Sequence, residues 1–255
     1  MFRIVFITFG AFLGWALVAQ AEDPLQKASE EFFPLALDGT ITLDHSDGAI
    51  HIYGWYEPRV RLLAVRKAYT APRLDQIRVE TKSAPDSLAL RTVISAASGL
   101  FADRSGTIDY TLSVPEPARI RLKLSNGEIS LEGLRGAKVD LELRNGRVFV
   151  RNCFAQVRAR ARDGVIEALF EWWENLPATF DYALERGRIR VRLPLATPFR
   201  VEARTGQGPI HHQFSFPPAQ AAGSGEILQA ATTKDPLLSL GLRTGGGNVS
   251  LEAIR

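Results

Sequence analysis

The sequence predicts an all-β chain, and within that class a β-solenoid, from three observations. Apolar and polar residues alternate through most of the chain after residue 40, a turn-type dipeptide ending in glycine interrupts the alternation, and the whole phrase recurs about every 20 residues. In the clearest copy Ile120, Leu122 and Leu124 alternate with polar neighbours, Asn126-Gly127 follows, and Ile129 and Leu131 resume the pattern. Each flank reads as a half-buried strand.

In chain order, Ile41 and Leu43 precede Asp47-Gly48, with Ile50 and Ile52 after it. The phrase then loosens. Val60, Leu62 and Ala64, next Ile77 and Val79, next Leu88 and Leu90, and finally Ile108 to Val114 still read as four strands, with turns or loops at Pro72 to Asp75 and Ala96 to Ser105. Regular copies follow around Gly127, Gly146, Gly164 and Gly187, and looser ones around Gly208 and Gly247. From Gly127 to Gly208 the steps are 19, 18, 23 and 21 residues, and the last step of 39 to Gly247 is close to two units. A glycine at one fixed place calls for positive φ, which a preceding Asn or Asp also tolerates.

Two folds satisfy this spacing. In a β-solenoid each unit is one coil and the glycine marks its corner. In an antiparallel β-sandwich each Asn-Gly is a hairpin loop, and Leu124 faces Ile129 across it. The near-constant unit length favours coils. Residues 35–255 read as a single β domain, less regular over 35–117 and regular over 118–255, after a linker or short helix at 22–34.

Composition bounds the function. With 45% hydrophobic and 23% charged residues the 255-residue chain buries a core, and 31 Lys and Arg against 28 acids argue against a nucleic-acid binder. One cysteine, Cys153, makes no disulfide framework and reads as a small buried hydrophobe. At the N-terminus Arg3 precedes a 15-residue apolar run, Ile4 to Val18, that ends in Ala19-Gln20-Ala21. That order is an export signal over 1–21, which leaves a chain without a membrane span in the periplasm or at the cell surface.

Gly54-Trp55, the strand Tyr110 to Pro115, the serial Asn-Gly and Asp-Gly units and the closing Thr244-Gly245-Gly246-Gly247-Asn248-Val249 together resemble the bacterial putative adhesin family, over roughly residues 35 to 255. The resemblance implies a β-solenoid-like exported or envelope domain. It brings no catalytic residues with it. Arg186-Gly187 and the broken turn Thr205 to Gly208 depart from the usual unit.

Candidate binding residues are basic and aromatic. Alternation puts Arg158, Arg160 and Arg162 on one face of a strand, and likewise Arg188, Arg190 and Arg192. Residues 119–204 hold 15 Arg and 2 Lys against 11 acids, so guanidinium forks there suit the carboxylates or phosphates of an acidic glycan, a lipid headgroup or an envelope protein. The plainer alternative is a solvated face neutralised by acids on adjacent coils, and register decides between them. Trp172-Trp173, in the longest insertion, offers either sugar-stacking indoles or a plug over the core edge. His211 and His212 fall on opposite faces of one strand, so no metal site is expected, and no cofactor motif occurs. The expected function is a non-enzymatic binding or scaffold module of the bacterial envelope. A polysaccharide-active β-helix enzyme and a self-assembling structural protein are the alternatives.

Overall fold

The structure is a computed structural model that describes residues 23–95, 103 and 105–254. The expected export signal, and most of the loop expected from Ala96 to Ser105, lie outside these residues. No described helix is long and apolar enough to cross a membrane.

The strands are β1 (Leu25–Pro34), β2 (Thr40–Trp55), β3 (Arg59–Ala68), β4 (Ile77–Ala84), β5 (Ser87–Ile94), β6 (Thr107–Pro115), β7 (Arg119–Glu132), β8 (Arg135–Arg151), β9 (Phe154–Leu169), β10 (Ala178–Pro194), β11 (Phe199–Thr205), β12 (Ile210–His212), β13 (Gln220–Ala222), β14 (Gly225–Ala231) and β15 (Leu238–Ile254). A short helix α1 (Ala71–Asp75) falls where a turn was expected. All the strands join one mixed, open sheet. Its centre is the parallel run β2-β7-β8-β9-β10-β15, followed by β11 and β12, which pair with the two halves of β15.

The turn dipeptides lie inside continuous strands. Asn126-Gly127 sits within β7, and the residues on both sides of it pair in parallel with the same halves of β8. Inward residues before and after the bend share one core: Ile120, Leu122, Ile129 and Leu131 are all buried, as are their counterparts on β8. Volumes balance across neighbours. Ala159, Ala161 and Ala168 leave space on β9 where Phe154, Phe170, Phe180 and Tyr182 fill it. Cys153 is fully buried and burial pushes its thiol up to about 12, so it fills space.

Glycine is obligatory at the bend because the strands stack there backbone on backbone. A Cβ on Gly146 would lie 1.8 Å from the carbonyl oxygen of Gly127, and one on Gly164 would lie 1.8 Å from that of Gly146. The column runs Gly48, Gly127, Gly146, Gly164, Gly187, Gly247, Gly208. Two expectations are corrected by it. The dipeptide's Asn and Asp do not adopt positive φ, since Asn152 alone among the described non-glycine residues does so. Their side chains bond sideways instead, Asn145 donating to Asn126 at 2.8 Å and Asn126 to Asp47 at 2.9 Å. Where Arg186 replaces an Asx residue, it donates to Asp163 and so extends the same line of contacts.

The second correction concerns order. Gly247 stacks on Gly187 and Gly208 on Gly247, so β15 enters between β10 and β11 rather than after them. The chain's last strand is therefore internal. Within the stretch expected as a linker, Leu25–Pro34 is instead a strand: β1 pairs antiparallel with β3 over all ten residues. Both of its faces are largely exposed, which leaves no alternation to read. On one side β5 and β6 pair in parallel with the two halves of β2, and antiparallel strands follow, β4 on β5 and β3 then β1 on β6; on the other side β14 and β13 run antiparallel beyond β11.

One polar network interrupts the inward rows. His45 is buried, its Nε2–H donates to the Ile108 carbonyl at 2.8 Å, and its Nδ1 accepts from Thr92 Oγ1 at 2.8 Å. The Tyr110 hydroxyl in turn lies 2.8 Å from Thr92 Oγ1, so every polar atom is satisfied with the ring neutral. Burial holds the His45 pKa below its usual 6.5, against the opposing pull of the Ile108 carbonyl, Asp47 and Asp109.

Two outcomes are expected. Gly146→Ala costs about 3 kcal/mol or more in denaturant unfolding, combining strained φ with backbone overlap, whereas Gly133→Ala, with open space around its Cβ, costs about 1–2 kcal/mol; equal losses would refute the stacking argument. Because the unfolded chain protonates His45 near 6.5 while the folded chain resists, the stability from the neutral ring is complete above that value and is lost as pH falls through it. Thermal melts of the native protein should therefore drop between about pH 7 and 5.5, and those of His45→Gln should drop less.

Candidate functional site

Register decides how the outward charges meet. Before the glycine bend, Arg121, Asp140, Arg158 and Asp181 form one row across β7 to β10, in alternating sign. Arg158 stands 3.6 Å from both Asp140 and Asp181, and Arg243 also pairs with Asp181. Asp140, Arg158 and Asp181 are neutralised sideways, in pairs that water screens, while Arg121 at the end of the row has no ion-pair partner among the described residues.

The next row runs Asp44, Lys123, Glu142, Arg160, Ala183, Arg243, Arg204 from β2 to β11. Its first part also alternates, with Lys123 and Glu142 at 3.3 Å. The alternation fails at Ala183. Arg160 on one side and Arg204 on the other have no ion-pair partner among the described residues, and neither has Arg144, two residues beyond Glu142 on β8. Arg162, the third member of the first predicted triplet, is held by Asp163 at 2.9 Å. Asp163 also receives Arg186, and these guanidiniums hold its carboxyl below the usual range.

The surface beside this break opens into a trough. One depression of about 480 Å³ lies between Asp44 and Arg162, and a second of about 470 Å³ lies between Arg160 and Gly245. They share Arg160, Ala161 and Glu185 and so form one trough across the strands. Ala183, Gly206 and Gly245 line it where larger side chains would fill it. It crosses seven strands, roughly 29 Å at about 4.8 Å per strand.

Arg188, Arg190 and Arg192 lie after the glycine bend, on the other half of β10, so the two triplets do not form one surface. Arg188 is exposed, while Arg190 sits 3.0 Å from Glu252 and 3.7 Å from the buried Glu167, which Arg147 also holds. The tryptophans separate as well. Trp173 packs edge-on against Phe154 at 5.6 Å and beside Phe170, whereas Trp172 is 46% exposed with its indole N–H on Glu174. Arg135 ties that insertion to the body through two bonds to Glu174 and one to Glu116, and it holds the Glu174 carboxyl below its usual value. His211 is exposed and His212 half-buried, and among the described residues no group of His, Cys, Asp or Glu is arranged to hold a metal.

Sequence reasoning found Arg160 but not Arg144, Arg204 or Arg243 as its companions. No local signal could have joined them, because they come from β8, β11 and β15 and meet only through the register.

No protein-family model and no curated relative matches the chain. Among solved structures it is similar to a putative cell adhesion protein from Clostridium sporogenes, at 13% identity and a TM-score of 0.48, covering 89% of this chain and 100% of that one. It is also similar to a putative adhesin from Bacteroides fragilis, at 12% identity and a TM-score of 0.28, covering 91% and 100%. A putative adhesin from Parabacteroides distasonis matches at 8% identity and a TM-score of 0.25, covering 88% and 97%.

Proposed function

We propose that the protein is an exported, non-enzymatic binding module of the bacterial envelope, built as a solenoid of glycine-cornered coils, and that acidic groups on a glycan, a lipid headgroup or an envelope protein bind its outward arginines. One observation carries the reading. Arg144, Arg160 and Arg204 line a trough without acid partners, on a face where the neighbouring cations Lys123, Arg158, Arg162 and Arg243 are all paired. A guanidinium left free at fixed spacing on a rigid sheet is preorganised for an external carboxylate or phosphate.

Parallel, in-register pairing and the single glycine column support the solenoid. The antiparallel strands over both ends of the run weigh against open-ended self-assembly, since they occupy the edges on which another copy would have to stack. Trp172 is the remaining exposed aromatic of the predicted pair and a lesser candidate for contact.

Binding to immobilised acidic and neutral glycans and to anionic vesicles, measured at two salt concentrations, tests the proposal. Acidic ligands should bind, and raising the salt from about 0.1 M to about 1 M should weaken binding at least about tenfold as the screening length shrinks. The Arg158, Arg160 and Arg162 to Ser variant should lose more affinity than the Arg188, Arg190 and Arg192 to Ser variant, because Arg160 and Arg162 line the trough and the second triplet lies after the glycine bend, outside it. Absence of binding, or binding indifferent to salt and to both variants, would end the proposal.

A further inference from the structure

The binding reading leaves the shape of the ligand open, and the trough narrows it. We infer that the trough takes a linear, carboxylate-bearing polysaccharide laid across the strands, with its acidic sugars meeting the unpaired Arg144, Arg160 and Arg204 in turn. This inference rests on the proposed binding function and specifies its ligand.

Three features select that ligand. Arg160 on β9 and Arg204 on β11 share one lateral row, three strands or about 14 Å apart, and Arg144 stands on β8, one strand from Arg160 and two residues further along. Those intervals are commensurate with one to three sugar units of an extended chain. The site is a trough and not a plane or a closed pocket, which suits a strand-like polymer better than a bilayer surface or a single small anion.

The third feature is the acid among the bases. Glu185 lies in the same trough as Arg160, Arg204 and Arg243 and has no ion-pair partner among the described residues. A sugar offers hydroxyl donors to that carboxylate as well as its own carboxylate to the guanidiniums. A DNA phosphodiester backbone offers acceptors only, and Glu185 would repel it. The described trough also lacks the exposed aromatic side chains on which unpaired bases stack.

The test is a length ladder of galacturonic acid oligomers from one to ten units, with their methyl esters, single-stranded DNA and anionic vesicles as comparisons, titrated by calorimetry against the purified protein. Affinity should climb with chain length to about six units, the length of the trough, and then level. Methyl esters should bind at least tenfold more weakly. Arg160→Ser with Arg204→Ser should cost about tenfold or more, since each bond to a charged group is of that order. In contrast, Arg188→Ser with Arg192→Ser should leave the ladder unchanged.

A monomer that binds as tightly as the decamer, tighter binding of DNA or vesicles, or a ladder insensitive to Arg160 and Arg204 would each overturn the inference while leaving acidic-ligand binding standing. Failure of every acidic ligand would overturn both.

Discussion

The glycine column is the contact on which the rest of the molecule depends. At each bend the carbonyl of one glycine occupies the space where the next glycine's Cβ would be, and distances of 1.7–1.9 Å from Gly127 to Gly247 leave no room for adjustment. The bend fixes where each strand changes direction, and the close stacking fixes which residue lies beside which. A slip by one residue would bring a side chain into the column and turn every inward residue outward. Register is thus secured twice, by packing at the corner and by the hydrophobic pattern on both sides of it.

Surface chemistry follows from that register. Side chains at equal distances from the column become lateral neighbours, so charge order is read across strands and not along them. Where the rows alternate in sign, as from Asp140 through Arg158 to Asp181, the charges satisfy one another. The row through Ala183 breaks the alternation and, with Gly206 and Gly245, lowers the surface at the same point. The buried His45 shows the same logic inside. It occupies an inward position that Leu124 and Leu143 hold on the next two strands, and it is tolerated because β5 and β6 supply Thr92, Tyr110 and the Ile108 carbonyl.

What the sequence shows and what it hides divide along the same line. Alternation along a strand is local, so the inward residues, the seven glycines and the outward direction of Arg158, Arg160 and Arg162 are legible from sequence. Lateral order is not local. The 39-residue step to Gly247 carries the right unit length but no mark that β15 lies between β10 and β11. The Asx residues were legible as turn formers for the wrong reason, since their contribution is a side-chain ladder between strands. β1 gave no signal because a strand with both faces in water has no need to alternate.

The position of β15 links fold and site more tightly than a sequential stack would. Were the strands ordered in the sheet as in the chain, Arg204 on β11 would lie next to Ala183 on β10, and Arg243 would lie at the far side. Insertion of β15 places Arg243 beside Ala183 and moves Arg204 one strand outward, which spaces Arg160, Arg243 and Arg204 along the trough and brings Gly245 to its wall. The same insertion puts Leu240, Leu242, Val249 and Leu251 into the centre of the core. The trough therefore depends on β15 lying between β10 and β11, since that strand supplies Arg243, Thr244 and Gly245 to its wall.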